Sequence, residues 1–554
     1  MYQYSTVDQT IVDERVDQFR DQTQRFLSGQ MTEEAFRPLR LMNGLYLQRH
    51  APMLRVAIPY GLLSAVQLHK LADISRKYDR DYAHLTTRQN LQYNWLKLEE
   101  VPDLLKELAT VQMHAIQTSG SCIRNTTADH MAGVSADEID DPRPYCELIR
   151  QWSTFHPEFS FLPRKFKIAV TGALHDRAAI QVHDIGIQLI RDSASNELGF
   201  RILVGGGLGR TPVIGKIIRE FLPKQYLFSY LQAILRIYNQ QGRRDNKYKA
   251  RIKILVKALG IERFKELVEA EWSEIKDDAP ILTDDAISAM QAHFHQDYET
   301  LDGSGDKGGD QIIEAKAQAS PAFAIWYKQN THEHKVDGYR IVTISVKAPG
   351  EPPGDLTHDQ MHRVADLATQ YSFDQIRVSH EQNLIFGDVK KADLPELWKA
   401  LVALDLATPN IGTLTDLICC PGLDFCSLAN AGSIDIAEQI NSRFDDLDFI
   451  HDLGDLKIKI SGCMNACGHH HVGHIGILGV DKKGEEWYQI TIGGSAEEDA
   501  CLGKIIGPSV AKPDVASTIE TLLETYLDTR LDGEPFLQTV HRIGVKPFKA
   551  AVYG

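Results

Sequence analysis

Cysteine is scarce in this chain, with eight in 554 residues, too few for a disulfide-stapled scaffold. Positive charge is short as well. Sixty Lys and Arg against 75 Asp and Glu leave a formal net charge of −15, and because a phosphate backbone needs a basic surface, nucleic acid is excluded as the main partner. No apolar run approaches the length of a membrane span. The opening residues, MYQYSTVDQTIVDERVDQFR, show no basic region followed by an apolar core. The expectation is a cytoplasmic protein without a secretory signal. A nucleotide loop is also wanting. Val204-Gly-Gly-Gly-Leu-Gly209 lacks the Walker lysine and serine and is only loosely like a dinucleotide fingerprint. It reads instead as a strand end where backbones approach closely.

What cysteine there is lies concentrated. Cys420-Pro-Gly-Leu-Asp-Phe-Cys426 is followed by Ser461-Gly-Cys463-Met-Asn-Ala-Cys467-Gly468, giving C-x5-C and then C-x3-C. Four convergent thiolates suit a [4Fe–4S] cubane, in which each iron takes one terminal ligand beyond its bridging sulfides. They also make a zinc ligand set, although structural zinc sites favour tighter pairs than the first one here. Cys122, Cys146, Cys419 and Cys501 remain outside the pattern.

The second half of the chain replays the first. LTTRQNLQYNWL from 85 matches VSHEQNLIFGDV from 378, KIAVTG from 167 matches KIKISG from 457, VHDIGI from 182 matches VGHIGI from 472, and FRILVGG from 200 matches YQITIGG from 488. The offsets are 293, 290, 290 and 288, in order. Similar-looking strands explain one match but not four at nearly one spacing. A tandem duplication follows, with pseudo-twofold related halves and a crevice between them. The copies differ in chemistry, since Arg88 corresponds to Glu381, and the Gly172-Ala173 step to Gly462-Cys463.

The thiol spacing, framed as S-G-C-x-N-x-C-G, resembles the sirohaem and iron–sulfur reductases, the assimilatory sulfite and nitrite reductases. The resemblance runs from about Arg37 to Ser509. It implies that Cys420, Cys426, Cys463 and Cys467 hold a [4Fe–4S] cluster, that Cys467 also bridges to the sirohaem iron, and that Asn465 lies at the cofactors. Thr86-Thr-Arg88-Gln89, Cys122-Ile-Arg124-Asn125 and Phe161-Leu-Pro-Arg164-Lys165-Phe-Lys167 are similar to the family's T-x-R-Q, x-x-R-N and L-P-R-K-F-K segments. Arg88, Arg124, Lys165 and Lys167 would then bind a small oxyanion on the open face of the haem. Enclosing that much negative charge is costly unless fixed cations replace the water. Lys165 and Lys167 alternate on a strand and share a face, with Ile168 and Val170 turned to a core. The basic stretch from Gly242 to Lys253 reads as a helix start; it resembles the family region that reaches the sirohaem carboxylates, which implies that role for Arg251 and Lys253, and an ordinary solvated helix face is the other reading. His469, His470, His471 and His474 read as polar or cationic haem-pocket groups or as solvent-facing side chains.

The activity implied is six-electron reduction of sulfite to sulfide, with nitrite the rival substrate. Lys167 is the discriminating position, because plant-type nitrite reductases resemble L-P-R-K-W-N there. Electrons would come from a separate protein, a ferredoxin or an NADPH-dependent flavoprotein. A non-catalytic iron–sulfur or zinc protein is the alternative of another class. Cys122 is either a buried free thiol or, as in some relatives, cross-linked to a tyrosine, here Tyr46 or Tyr60.

The fold expected is α+β, an internally duplicated sulfite/nitrite reductase fold with ferredoxin-like units. Residues 1–36 would be an N-terminal arm, 37–130 and 311–418 ferredoxin-like half-domains, and 131–310 and 419–554 the two sirohaem-domain copies, the second carrying the cysteines. HLTTRQNLQYNWL reads as one strand, 211–272 as helical, LDGSGDKGGD at 301–310 as a flexible connector, APGEPPGDL at 348–356 as a turn-rich loop, and HRIGVKPFKAAVYG at 541–554 as a basic tail.

Overall fold

The computed structural model describes residues 1–298 and 303–554, with the backbone alone over 303–307. Two kinds of sheet occur, each twice. The first small antiparallel sheet runs Leu45–Leu47, Pro52–Val56, Leu91–Tyr93, Tyr82–Leu85 and then Asp355–Thr357. The second runs Thr331–Glu333, Tyr339–Ile344, Leu384–Lys390, Gln375–Val378 and then Leu62–Ser64. Each therefore borrows its last strand from the other half of the chain, with Asp355 opposite His84 and Ser64 opposite Gln375.

Both borrowed strands run straight into helices, Ala65–Tyr78 and His358–Tyr371, through the same capping box. Ser64 and Gln67 form it in one copy and Thr357 and Gln360 in the other, satisfying two free backbone N–H groups at each helix start. Leu54, Leu68 and Leu85 share a single apolar core with Val342, Leu356 and Phe386. The two ferredoxin-like units are thus one packed body.

The larger sheets repeat each other. Thr127–Ala128, Ile168–Thr171 and Ile185–Arg191 are parallel, and Leu198–Val204 and Lys216–Pro223 continue antiparallel. In the second copy Ile418–Cys419, Ile458–Ser461 and Ile475–Lys482 are parallel, followed by antiparallel Glu485–Ile492 and Lys504–Ile505. Each has its own core, around Phe166, Ile187 and Tyr238 in one and Ile460, Ile477 and Leu522 in the other. The duplicated α+β architecture is that expected from the repeats.

Several local expectations are corrected. The strand expected through HLTTRQNLQYNWL is a hairpin, closed by Thr86 N–H donating to Asn90 O at 2.9 Å with Gln89 at a φ of 56°. Its counterpart turn has Ser379 N–H on Asn383 O at 2.9 Å and Gln382 at 65°. The two turns clasp one another: Gln89 Nε2 donates to Val378 O at 3.0 Å, and Gln382 Nε2 to Leu85 O at 2.9 Å.

The N-terminal arm is two helices, Thr6–Leu27 and Glu33–Met42, whose Val16, Phe19 and Phe36 join the shared core. Within the supposed helical stretch Lys216–Pro223 is a strand, while Gly242 to Ala250 is irregular and the next helix starts at Ile252. Residues 301 and 302 of the supposed connector lie outside the described residues, and a helix, Gly303–Ala319, follows. The loop at 348–356 ends inside the strand Asp355–Thr357. The basic tail is folded into helices Phe536–Ile543 and Lys546–Tyr553, with Phe548 fully buried, because its apolar residues recur at helical spacing. Among the described residues no helix is long and apolar enough to cross a membrane.

Candidate active site

The C-x5-C and C-x3-C segments meet where the parallel strands Ile418–Cys419 and Ile458–Ser461 end. Two glycines permit the approach. A Cβ on Gly468 would lie 1.8 Å from Ile460 O, and one on Gly462 would lie 2.6 Å from Ala431 O, both inside any tolerable contact. Gly462 N–H then points at Cys420 Sγ at 3.2 Å. The backbone N–H groups of Leu428 and Ala429 face the Cys426 sulfur, and the backbone and side chain of Asn465 face that of Cys463. Burial pushes the Cys420 thiol up to about 12, with Cys467 adding to the effect, and it raises Cys426 and Cys463. Such thiols shed their protons when cations hold the sulfurs. Cys419, next in sequence to a ligand candidate, is turned into the core instead.

The sulfurs of Cys420, Cys426 and Cys463 lie within electrostatic reach of Cys467, yet no three of the four come within 4.8 Å of one another. One zinc ion with bonds of about 2.3 Å would draw its sulfurs to about 3.8 Å. The spread suits a larger inorganic centre, and donors aimed at sulfur are what an iron–sulfur cluster uses to set its potential.

A cation cluster stands beside Cys467. Phe166 is buried in the core, so Lys165 and Lys167 on either side of it face the opposite way; the strand itself begins one residue later, at Ile168. Both lysines are half-buried. Burial brings Lys165 down to about 8, opposed by Cys467, and lowers Lys167 further, with Lys165, Arg88 and Arg251 adding to it. Arg88 stands in the hairpin turn and donates to Thr127 Oγ1 at 2.9 Å and Asn125 O at 2.6 Å. Burial brings its guanidinium down to about 9, with Arg124 the next cause. The neighbouring Thr87 hydroxyl donates to Cys467 O at 2.8 Å, tying the cation turn to the thiol loop across the two copies. Arg124 is anchored on Thr118 O at 2.8 Å and Gly120 O at 2.7 Å. Arg88, Arg124, Lys165 and Lys167 act electrostatically on one another, and Cys467 acts on both lysines.

Asp184 was not singled out in the sequence. It is fully buried, accepts Lys167 N–H at 2.8 Å and binds Arg251 through Nε at 2.9 Å and Nη2 at 2.7 Å. Its only signal was the repeat VHDIGI, where the second copy has His474 in its place. Lys253 corrects an expectation. Its ammonium donates to the carbonyls of Gly207, Leu208 and Thr211 at 3.1, 2.7 and 2.5 Å, so all its hydrogens hold the glycine loop and none is left for a cofactor carboxylate. That loop does pack closely, since a Cβ on Gly206 would meet Gln181 O at 2.3 Å.

The histidines after the cluster are buried or half-buried, and burial lowers the pKa of each. His469, His470 and His474 are buried, and burial takes His470, His471 and His474 down to about 2, 4 and 3. His471 Nε2 meets Gly209 O at 3.1 Å. Of the two tyrosines considered for Cys122, Tyr60 donates to Glu147 at 3.3 Å. Tyr46 instead shares Ser119 with the Cys122 thiol, which donates to Ser119 O at 3.3 Å.

The pseudo-symmetric position has kept a space but not the charge. A cavity of about 700 Å³ there is lined by His130, His380, Glu381, Lys457 and Glu497. Lys457, the counterpart of Lys167, is paired with Glu497 at 2.6 Å and Glu381 at 3.7 Å. Acids have neutralised what in the first copy is left cationic.

Two family models match this arrangement. The nitrite and sulphite reductase 4Fe-4S domain matches residues 119–276 and 412–554, and the nitrite/sulfite reductase ferredoxin-like half domain matches 46–111 and 332–404. The chain belongs to the nitrite and sulphite reductase family. Relatives of this reductase include "Sulfite reductase [ferredoxin] 1" of Mycolicibacterium paratuberculosis, 27% identical over 498 residues, 87% of this chain and 81% of the relative. "Ferredoxin--nitrite reductase" of Synechococcus elongatus is 29% identical over 490 residues, 85% of each chain. Among solved structures, the NirA protein of Mycobacterium tuberculosis superposes with a TM-score of 0.76 at 25% identity, over 94% of this chain and 92% of that one. The reductase's cofactors are those of its family, sirohaem and a [4Fe–4S] cluster. The converging thiols, the glycine-dependent close approach and the cation cluster fit both.

Proposed function

We propose that this reductase reduces sulfite to sulfide, taking six electrons from a ferredoxin. The observation that carries the substrate choice is Lys167. It adds a second ammonium beside Lys165 in a cluster that also holds Arg88 and Arg124, and a dianion gains more from an extra cation than nitrite does. Relatives named for ferredoxin support the donor, and the relatives are named for both substrates.

When bound, sirohaem and the cluster, held by Cys420, Cys426, Cys463 and Cys467, supply the electron transfer. The chain's own work is electrostatic. Arg88, Arg124, Lys165 and Lys167 hold the anion's oxygens by charge-assisted hydrogen bonds and offset the charge that builds as each oxygen leaves as water. Lys165 and Lys167 hand protons to those oxygens from Nζ. Asp184 keeps Lys167 and Arg251 in place, Asn465 serves the Cys463 sulfur, and Arg251 keeps the side of its guanidinium away from Asp184 for a cofactor carboxylate.

Turnover with reduced methyl viologen tests the reading. Unmodified enzyme is expected to show the higher kcat/KM with sulfite. Lys167→Asn is expected to lose about tenfold to a hundredfold with sulfite, the worth of one charge-assisted bond, and less with nitrite. A higher kcat/KM for nitrite in the unmodified enzyme would overturn the substrate assignment.

A further inference from the structure

The helices Ala65–Tyr78 and His358–Tyr371, one from each copy, pack together and carry a cluster unconnected with the redox site. We infer that their crossing binds one divalent first-row metal ion, of which zinc(II) is the natural probe, through Asp73, His358 and His362. Each offers a ligand atom, and the three atoms lie within 4.8 Å of one another. His358 and His362 are one helical turn apart and so share a face, while Asp73 reaches across from the other helix. His362 Nε2 is 3.1 Å from Asp73 Oδ1. A tetrahedral ion about 2.0–2.2 Å from nitrogen and oxygen sets its ligand atoms about 3.3–3.5 Å apart, so little movement is needed.

The second ring nitrogens are already held, as metal-binding histidines require. His358 Nδ1 lies 2.9 Å from Asp359 Oδ1, which leaves Nε2 for the ion. His362 Nδ1 lies 2.7 Å from His69 Nδ1, and His69 Nε2 lies 3.5 Å from Asp366 Oδ1. With the proton between the rings on His362, a carboxylate–histidine–histidine relay ends in a lone pair at His362 Nε2. Arg76, 3.4 Å from Asp359, is the nearby cation.

The pseudo-symmetry explains why there is one site and not two. An offset of 293 maps His69 onto His362 and Asp73 onto Asp366, so each helix presents a His–Asp pair to the other. The same offset maps Ala65 onto His358, and only the side with His358 has a third ligand. Imidazole with carboxylate suits zinc, cobalt, nickel or copper better than calcium or magnesium. The Asp73 side chain is 55% exposed, which leaves a coordination position open to solvent. The ion would join the two copies at a contact that no covalent link now spans.

Calorimetric titration of chelator-washed holoenzyme with zinc chloride tests this. One more zinc per chain is expected than in the His358→Gln/His362→Gln double variant, together with a zinc-induced rise in Tm that the variant lacks. Asp366→Asn is expected to weaken this site about tenfold to a hundredfold. Asp73→Asn, on an exposed side chain, gives a second reading if the histidine variant folds poorly. Crystals soaked in zinc should show an anomalous peak between the two helices. Equal stoichiometry and affinity in parent and variants, or a peak elsewhere only, would overturn the inference.

Discussion

His114 shows how far burial can move one side chain. Its Nδ1 accepts the Ile116 N–H at 3.2 Å, and burial takes the ring down to about 3, with Arg150 adding to the effect. The same ring titrates near 6.5 in an unfolded chain. Between those values the unfolded chain binds the extra proton, so the contribution to stability is full above about 6.5 and is lost as pH falls, by about 2 kcal/mol between pH 6.5 and 5. Asp176 acts in the opposite direction. Burial lifts it to about 7, so the folded protein takes up that proton first. The comparison must therefore be between variant and parent. His114→Gln is expected to show a smaller fall in Tm from pH 7.5 to pH 5 than the parent, by differential scanning calorimetry. Parallel falls would show that the ring's protonation is not coupled to folding.

Among the elements, the loop after the strand Ile458–Ser461 has little freedom. Gly468 stands where a Cβ would be 1.8 Å from the carbonyl of Ile460, and a carbonyl in a parallel sheet cannot yield without breaking its ladder. Gly468→Ala should therefore displace Cys467, two bonds of whose loop depend on this packing: Gly468 N–H to Ser461 Oγ at 3.0 Å and Thr87 Oγ1 to Cys467 O at 2.8 Å. Purified Gly468→Ala protein is expected to hold less than about half the parent's iron and acid-labile sulfide, a cost in the range of severe overpacking. Full occupancy would mean that the loop accommodates the methyl group by moving as a unit. The sequence displayed this glycine within S-G-C-x-N-x-C-G, but its reason is a contact with a strand eight residues earlier.

At the scale of the whole molecule, the exchange of Leu62–Ser64 and Asp355–Thr357 makes the halves interdependent. Without the borrowed strand each small sheet ends in an unpaired edge beside an incomplete core, the arrangement that invites aggregation. Residues 1–298 and 303–554 expressed as separate polypeptides are expected to be insoluble singly and to co-purify when produced together. A soluble, monomeric first half with native-like circular dichroism would show that its sheet closes without the borrowed strand.

Much of this protein was legible as a string of residues, because its main constraints are local or repeated. Thiol spacing, glycines beside thiols, alternation in Lys165-Phe-Lys167 and four matches at one offset all survive being written in one dimension. They led to the family, the duplication and the cation cluster. Tertiary structure alone decided which copy lends which strand, that the turn at Thr86–Asn90 bends back to put Thr87 on Cys467 and Arg88 near Lys167, and that Asp184 holds Lys167. It also showed Lys253 spent on carbonyls and the histidines after Cys467 buried or half-buried. Those outcomes depend on which groups meet and how much water is excluded between partners hundreds of residues apart, and residue identity carries neither.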